Sequence, residues 1–263
     1  MLAELLELAP SGVEEVNHGD TVEYAVYGAP GELPALPDLR AAAQGAFVDI
    51  TTTEVADDWA TRWRSFHRPV TIDGRLHVRP PWAEAGEDPA LLEIVIDPGQ
   101  AFGTGAHPTT RLCLEALLEL EPGGAFLDLG CGAGVLAIAA AKLGWDPVVG
   151  LDHGRESVQA TLDNAAVNGV EVQARQFDLL RDGPAPDAPT VAANLLAPLL
   201  LEVARAGFAG EAPEVLVAGG LLEDEADEVA AAFAALGLVE RARRVDGGWA
   251  ALTLAGGAGE RHR

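Results

Sequence analysis

Phe126-Leu-Asp-Leu-Gly130-Cys-Gly132-Ala-Gly134 is the stretch on which the fold turns. A short apolar strand runs into a glycine-rich turn and then directly into an apolar helix over Val135–Leu143, the order found where an α/β unit begins a nucleotide site. Glycine at such a turn lets a ligand touch the backbone. Asp152 stands 22 residues after Gly130, at the end of the next apolar run. An acid about 20 residues beyond the glycine turn accepts ribose hydroxyls in dinucleotide folds, so Gly130, Gly132 and Asp152 are expected to hold an adenosine-bearing cofactor. Tight turns with a helix-capping aspartate are the structural alternative. The spacing is GxGxG, with Val135 where a third glycine of the NAD pattern would stand, so a pyrophosphate is poorly served. Asp178, after a fourth strand, is either an acceptor for the adenine amine or a turn residue before Leu179.

Outward from this turn the chain alternates strand and helix. The pattern predicts strands at Leu92–Ile96, Phe126–Leu129, Val148–Leu151, Glu171–Phe177, Val191–Ala193 and Val215–Ala218. Helices are predicted at Thr109–Leu120, Val135–Leu143, Arg155–Asn168, Ala197–Ala206 and Asp224–Leu236. Such alternation implies a parallel, doubly wound, Rossmann-like α/β sheet. Leu238–Arg244 and Trp249–Leu254, joined through Asp246-Gly247-Gly248, add an antiparallel C-terminal hairpin. Ahead of it, Val70–Ile72 and Leu76–Val78 flank Asp73-Gly74 as another hairpin. The first fifty or so residues read as a small α+β lobe, with helices at Leu2–Leu8 and Leu36–Gln44 and strands at Thr21–Tyr27 and Phe47–Thr53. The expected division is residues 1–54 as that lobe, 55–69 as a linker helix carrying Trp59 and Trp63 on one face, and 70–263 as the cofactor domain. The arginines of the linker region, Arg62 to Arg79, read first as a solvated connector and second as a binding patch.

Charge narrows the partners. The 263 residues carry 17 basic and 41 acidic side chains, a net charge of −24, and Lys142 is the single lysine. A surface so negative repels phosphate backbones, so a basic protein partner is expected and no direct nucleic acid contact. From Met1 to Asp58 there are twelve acidic residues against Arg40 alone, a net charge of −11. With 49% hydrophobic and 22% charged residues the composition is that of a chain that buries a core. No apolar run approaches the roughly 18 residues that span a bilayer, and Met1–Pro10 lacks the basic start of a signal peptide. No membrane partner and a cytoplasmic location are expected. Cys113 and Cys131 have no zinc-like spacing or nearby histidine set, so neither a metal site nor a disulfide framework is expected.

Three segments together resemble one family. Asp97-Pro-Gly-Gln-Ala-Phe-Gly-Thr-Gly-Ala-His-Pro-Thr-Thr-Arg111, Asp128-Leu-Gly-Cys-Gly-Ala-Gly-Val-Leu-Ala-Ile-Ala-Ala-Ala-Lys142 and Asn194-Leu-Leu-Ala197 are similar to the methyltransferase of large-subunit ribosomal protein eleven, the PrmA family. The Phe-Gly-Thr-Gly-x-His-Pro-Thr-Thr segment is the most diagnostic of the three. The resemblance implies a class I methyltransferase fold, S-adenosylmethionine as methyl donor, and trimethylation of lysine side-chain and N-terminal amines on that ribosomal protein; the charge makes a basic substrate the expectation, and a monomer is expected. It places Thr110, Gly130, Asp152 and Asn194 at the family's cofactor-binding positions. Thr109 and Thr110 would open a helix whose free N–H groups receive the methionine carboxylate, with Phe102, Gly103 and Thr104 in a flap above. His107 reads as a loop-packing residue before a catalytic one. The family's N-terminal lobe is ferredoxin-like, βαββαβ; here no strand precedes the Leu2 helix, so the lobe reads as truncated. Asp152-His153-Gly154 keeps the ribose acid of a more usual Asp-Ile-Asp and loses the second one.

Asn194 closes a strand just before a helix, which suits an N-cap as well as a site residue. An amine must lose a proton before it attacks, and free lysine has a pKa of about 10.4. The Asn194 side-chain carbonyl and the Leu195 backbone carbonyl can accept its N–H bonds and aim the lone pair, so the two are the expected catalytic groups. Two other readings stay open at this level. One is an S-adenosylmethionine-dependent enzyme for another amine or amide; the other is a non-catalytic adenosine-binding module docked on a basic protein.

Overall fold

The computed structural model describes residues 68–86, 88–97 and 107–256, and the backbone of two earlier strands, β1 (Val13–Asn17) and β2 (Val22–Val26). The chain divides into two compact units, Met1–Trp59 and Ala60–Arg263. In the first, β1 and β2 pair antiparallel with Val13 opposite Val26; β2 is the strand predicted at Thr21–Tyr27. The predicted helices at Leu2–Leu8 and Leu36–Gln44, the Phe47–Thr53 strand, most of the 55–69 linker, and Phe102, Gly103 and Thr104 lie outside the described residues.

The second unit begins with a three-stranded sheet. β3 (Val70–Ile72) and β4 (Leu76–Arg79) form the predicted hairpin around Asp73-Gly74, and β5 (Leu92–Val95) pairs parallel with β4. The strand predicted at Leu92–Ile96 therefore exists but belongs to this small sheet, not to the doubly wound one. Its period places Ile94 and Ile96 on one face, where they join Ile72, Leu76 and Val78 in the core. The period says nothing about which edge the strand takes.

The main sheet has seven strands: β6 (Phe126–Leu129), β7 (Val148–Asp152), β8 (Gln173–Gln176), β9 (Thr190–Asn194), β10 (Val215–Leu222), β11 (Leu238–Asp246) and β12 (Trp249–Gly256). Their spatial order is β11-β12-β10-β9-β6-β7-β8. β6 to β10 are mutually parallel, and the β11–β12 hairpin adds the antiparallel edge. The fold is thus the α/β, Rossmann-like arrangement expected. From β6 the chain steps out to β7 and β8, then returns to β9 on the other side of β6. The carboxyl ends of β6, β7 and β9 therefore meet at the switch point where such sheets bind ligands.

Among the described residues five helices cover the sheet: α1 (Pro108–Leu118), α2 (Val135–Leu143), α3 (Arg155–Val167), α4 (Ala197–Ala206) and α5 (Ala226–Ala234). Leu112, Leu114 and Leu117 of α1 and Ile138 of α2 pack with Phe126 on one face. Leu200 of α4 and Phe233 of α5 pack with Leu127 and Leu129 on the other. Because β6 is covered on both faces, all four of its residues are buried, which is why Phe126–Leu129 reads as a continuous run and not an alternation. α2 ends at Gly144 in the left-handed region, and Pro198 occupies the first turn of α4, matching the predicted helix limits. The helix predicted over Asp224–Leu236 starts instead as a 3-10 turn at Glu223–Glu225, where the Glu225 carboxylate accepts the Leu222 N–H at 2.8 Å. Among the described residues no helix is long and apolar enough to cross a membrane.

Candidate active site

The glycine turn is docked on the end of β7. Gly130 and Cys131 donate their N–H groups to the Leu151 carbonyl at 2.8 and 3.0 Å, and Gly134 donates to Cys131 at 2.7 Å. Gly134 must be glycine: its φ is +87°, and a Cβ there would lie 2.9 Å from Thr161 Cγ2 and 3.1 Å from the Thr161 Cα. Asp152, 8% exposed, closes β7 beside the turn. Its Oδ2 accepts the Gly132 N–H at 3.0 Å and its Oδ1 the Gly154 N–H at 2.9 Å. Each oxygen keeps acceptor capacity for another donor. Of the predicted trio, Gly132 thus bonds Asp152 directly and Gly130 bonds the neighbouring Leu151, which brings all three together at the switch point.

Asp128 belongs to the same place and escaped the sequence reading as a site residue. It is buried in β6; Oδ2 accepts the Ala137 N–H from the first turn of α2 at 3.1 Å, and Oδ1 has no partner. Burial, with the Asp152 charge adding to it against the Ala137 bond, pushes its carboxyl up to about 7 from an ordinary 3.8. An acid inside an otherwise apolar four-residue strand was the available signal. Since the folded state raises this pKa, folding favours the protonated form, so the associated stability is complete below about pH 4 and is lost as pH rises through about 7. Asp128→Asn is expected to remove that slope. Denaturant unfolding at a series of pH values checks it: the difference between wild type and variant changes steadily from pH 4 to 7 if Asp128 titrates there, and stays constant if it does not.

Asn194 is the last residue of β9, opposite Gly219 of β10. It is not a cap. The N-cap of α4 is Leu196, with no side-chain bond, and Asn194 lies two residues short of it. Its Nδ2 instead donates to Thr110 Oγ1 at 3.3 Å. Thr110 is fully buried. The next peptide is fixed by a bond from the Leu195 N–H to the Gly219 carbonyl at 3.0 Å. Leu195 lies against the cofactor turn, since a Cβ on Gly130 would collide with its Cδ2. Gly130, Leu195, Asn194 and Thr110 are therefore contiguous.

The start of α1 differs from expectation. Its N–H groups are occupied, because His107 caps the helix: Nδ1 accepts from the Thr109 N–H at 3.3 Å, and the His107 carbonyl accepts from Thr110 and Arg111, each at 3.1 Å. The His107 ring also stands edge-on to Trp249, with centroids 5.0 Å apart, and burial lowers its pKa. Packing and capping account for it. Asp178 behaves as a turn residue, Oδ1 accepting the Leu180 N–H at 2.9 Å and its own N–H bonding Asp182 Oδ2 at 2.8 Å. A groove between α3 and the amino ends of β7 and β8, lined by Asp146, Leu162, Ala166, Val170 and Glu171, lies at the opposite end of the sheet from these groups. Among the described residues no group of three or more histidine, cysteine or acidic side chains is arranged to hold a metal, and Cys113 and Cys131 are buried free thiols.

The chain has relatives among known proteins. The family described as "Ribosomal protein L11 methyltransferase (PrmA)" matches residues 37–256. A ribosomal protein L11 methyltransferase of Geobacter metallireducens is 40% identical over 211 residues, covering 78% of this chain and 69% of its own. That of Bordetella bronchiseptica is 39% identical over 261 residues, covering 84% and 83%. The crystal structure of the ribosomal protein L11 methylase from Lactobacillus delbrueckii subsp. bulgaricus superposes with a TM-score of 0.62 at 25% identity, covering 72% of this chain and 98% of that one. The chain belongs to the ribosomal protein L11 methyltransferase family and is a methyltransferase that uses S-adenosylmethionine.

Proposed function

We propose that the protein methylates lysine side-chain and N-terminal amines of ribosomal protein L11. The observation that supports this reading is the contiguity of Gly130, Leu195, Asn194 and Thr110: the Leu195 side chain packs on Gly130 of the cofactor turn, while the Asn194 side-chain carbonyl and the Leu195 backbone carbonyl lie beside Gly219 and Gly220 of β10. The residues present fit the cofactor. Asp152 retains acceptor capacity for two ribose hydroxyls, and the unpartnered Oδ1 of Asp128 suits a cationic group. When bound, S-adenosylmethionine supplies an electrophilic methyl group on a sulfonium centre.

The chain's own part is to bind and orient. Thr110 takes one donor of the Asn194 amide and leaves its Oδ1 to accept an N–H of the incoming amine. Leu195, pinned by Gly219, offers its carbonyl to a second N–H. Two acceptors so placed select the neutral amine's lone-pair direction, and alignment alone contributes roughly 7–11 kcal/mol in well-oriented reactions. No protein nucleophile is needed. The 1–54 lobe, with a net charge of −9, recognises the basic substrate, 55–69 joins it to the 70–263 catalytic domain, and the enzyme works as a cytoplasmic monomer without contacting nucleic acid directly. Phe102, Gly103, Thr104 and Asp178 complete the cofactor site in this proposal.

Two measurements test the reading. Incubation with labelled S-adenosylmethionine and a total ribosomal extract is expected to label L11; label in RNA or in a different protein overturns it. Asp152→Ala is expected to weaken S-adenosylmethionine binding by about 1.5–3 kcal/mol, the range for a hydrogen bond to a charged group. Unchanged affinity by calorimetry removes Asp152 from the ribose site.

A further inference from the structure

Asn164 of α3 and Asn168, which caps the helix at its carboxyl end, take the place of a missing strand. The free edge of β5 would leave its backbone groups unpaired, but Asn168 accepts the Val95 N–H at 2.9 Å and donates to the Val95 carbonyl at 2.6 Å. Asn164 does the same one step along, accepting the Asp97 N–H at 2.9 Å and donating to the Asp97 carbonyl at 3.1 Å. A side-chain amide can mimic a strand's N–H and C=O pair in this way. The two residues then part company. Asn168 spends its remaining bond on its own helix, at the Asn164 carbonyl. Asn164, only 3% exposed, donates to the Ala133 carbonyl in the glycine turn at 2.9 Å.

Thr161, one turn earlier on α3 and fully buried, donates its hydroxyl to the Gly132 carbonyl at 3.0 Å. Consecutive carbonyls of the turn, at 132 and 133, are thus both held by α3. A planar trans peptide points its N–H opposite to its C=O, so fixing these carbonyls also fixes the direction of the Ala133 and Gly134 N–H groups. The turn needs such restraint. Gly130, Gly132 and Gly134 have φ values of +74°, +53° and +87°, and glycine has more conformational freedom to lose than any other residue. Without external bonds that freedom opposes cofactor binding.

We propose that Asn164 and Thr161 are positioning residues for S-adenosylmethionine: they preorganise the glycine turn from beneath without touching the ligand. The proposal rests on the cofactor reading above. Asn168 is the internal control, because it anchors the same strand to the same helix but makes no bond to the turn. Two readouts on the full chain separate the outcomes. The first is amide hydrogen exchange at Cys131–Gly134 with no ligand present, which is independent of what the protein binds. The second is S-adenosylmethionine affinity by calorimetry. Asn164→Ala is expected to speed exchange in the turn and weaken affinity by about tenfold, the equivalent of one buried hydrogen bond. Thr161→Val, which keeps the volume packed on Gly134, should move both in the same direction and stands in should Asn164→Ala fail to fold. Asn168→Ala should lower the melting temperature yet leave both readouts unchanged. Turn exchange that is unaltered in Asn164→Ala and Thr161→Val, or that rises equally in Asn168→Ala, overturns the proposal; a wild-type chain that binds no S-adenosylmethionine overturns the cofactor reading instead.

Discussion

Asn194→Ala is expected to slow methyl transfer by about a hundredfold to a thousandfold, the range seen when one preorganised hydrogen-bonding group is removed from a reacting centre. Stability should scarcely change. Asn194 makes one side-chain hydrogen bond, at 3.3 Å to Thr110, and contributes no cap to α4. Loss of one such bond costs about 0.5–1.5 kcal/mol, or a melting shift of a few degrees in a domain of this size. S-adenosylmethionine affinity should fall by no more than about tenfold, since a single hydrogen bond is at stake. Asn194→Asp adds a sharper signature. A carboxylate facing the incoming amine holds it protonated, so the rate should rise at higher pH than in the wild type. Single-turnover rates across pH, with melting curves alongside, check both variants. Equal losses of rate and stability would assign Asn194 a merely structural role.

The second large effect is at Gly220. Here β10 bulges, so that Ala218 and Leu221 pair with Leu252 and Ala250. Gly220 takes φ +82°, and a Cβ there would sit 2.5 Å from the Leu195 carbonyl oxygen, 2.8 Å from its carbon and 2.9 Å from its nitrogen. All three atoms are backbone, so no rotamer change relieves the clash. Gly220→Ala is expected to cost about 2–4 kcal/mol, combining left-handed strain with overpacking, and to displace the carbonyl proposed to receive the amine. The corresponding drop in melting temperature is roughly 5–15 °C. Gly237 supplies the comparison: its φ is +83°, but nothing lies within 4 Å of its Cβ direction. Gly237→Ala should therefore cost only about 1 kcal/mol, the backbone share. Similar losses at both positions by urea unfolding would falsify the claim that Leu195 is held by close approach.

Much of this was legible in the sequence because local signals agreed with one another. α2 and α4 fall within Val135–Leu143 and Ala197–Ala206 as read, each bounded by glycine or proline at an end. Asp152 was found by its spacing from Gly130, a distance set by one helix and one strand. What escaped reading depends on partners far along the chain. β5 was placed in the wrong sheet because alternation reports a strand's faces, whereas its edge is closed by Asn164 and Asn168, about seventy residues later. Asp128 was passed over since an acid in a strand looks the same whether its carboxylate is satisfied or, as here, half unpaired in the core. At the start of α1, the histidine that caps the helix lies directly before Pro108, where its side chain reads as loop packing or catalysis and not as a cap.

The most direct test of the central claim is the intact mass of ribosomal protein L11 after reaction with the purified full-length chain and S-adenosylmethionine, followed by fragmentation to locate the added groups. The account predicts a mass rising in whole methyl steps, with every methyl on a lysine side chain or the N-terminal amine, and no rise with Asn194→Ala over the same interval. An L11 mass that stays unchanged while the chain binds S-adenosylmethionine, or methyl groups found on atoms other than amine nitrogens, would contradict it.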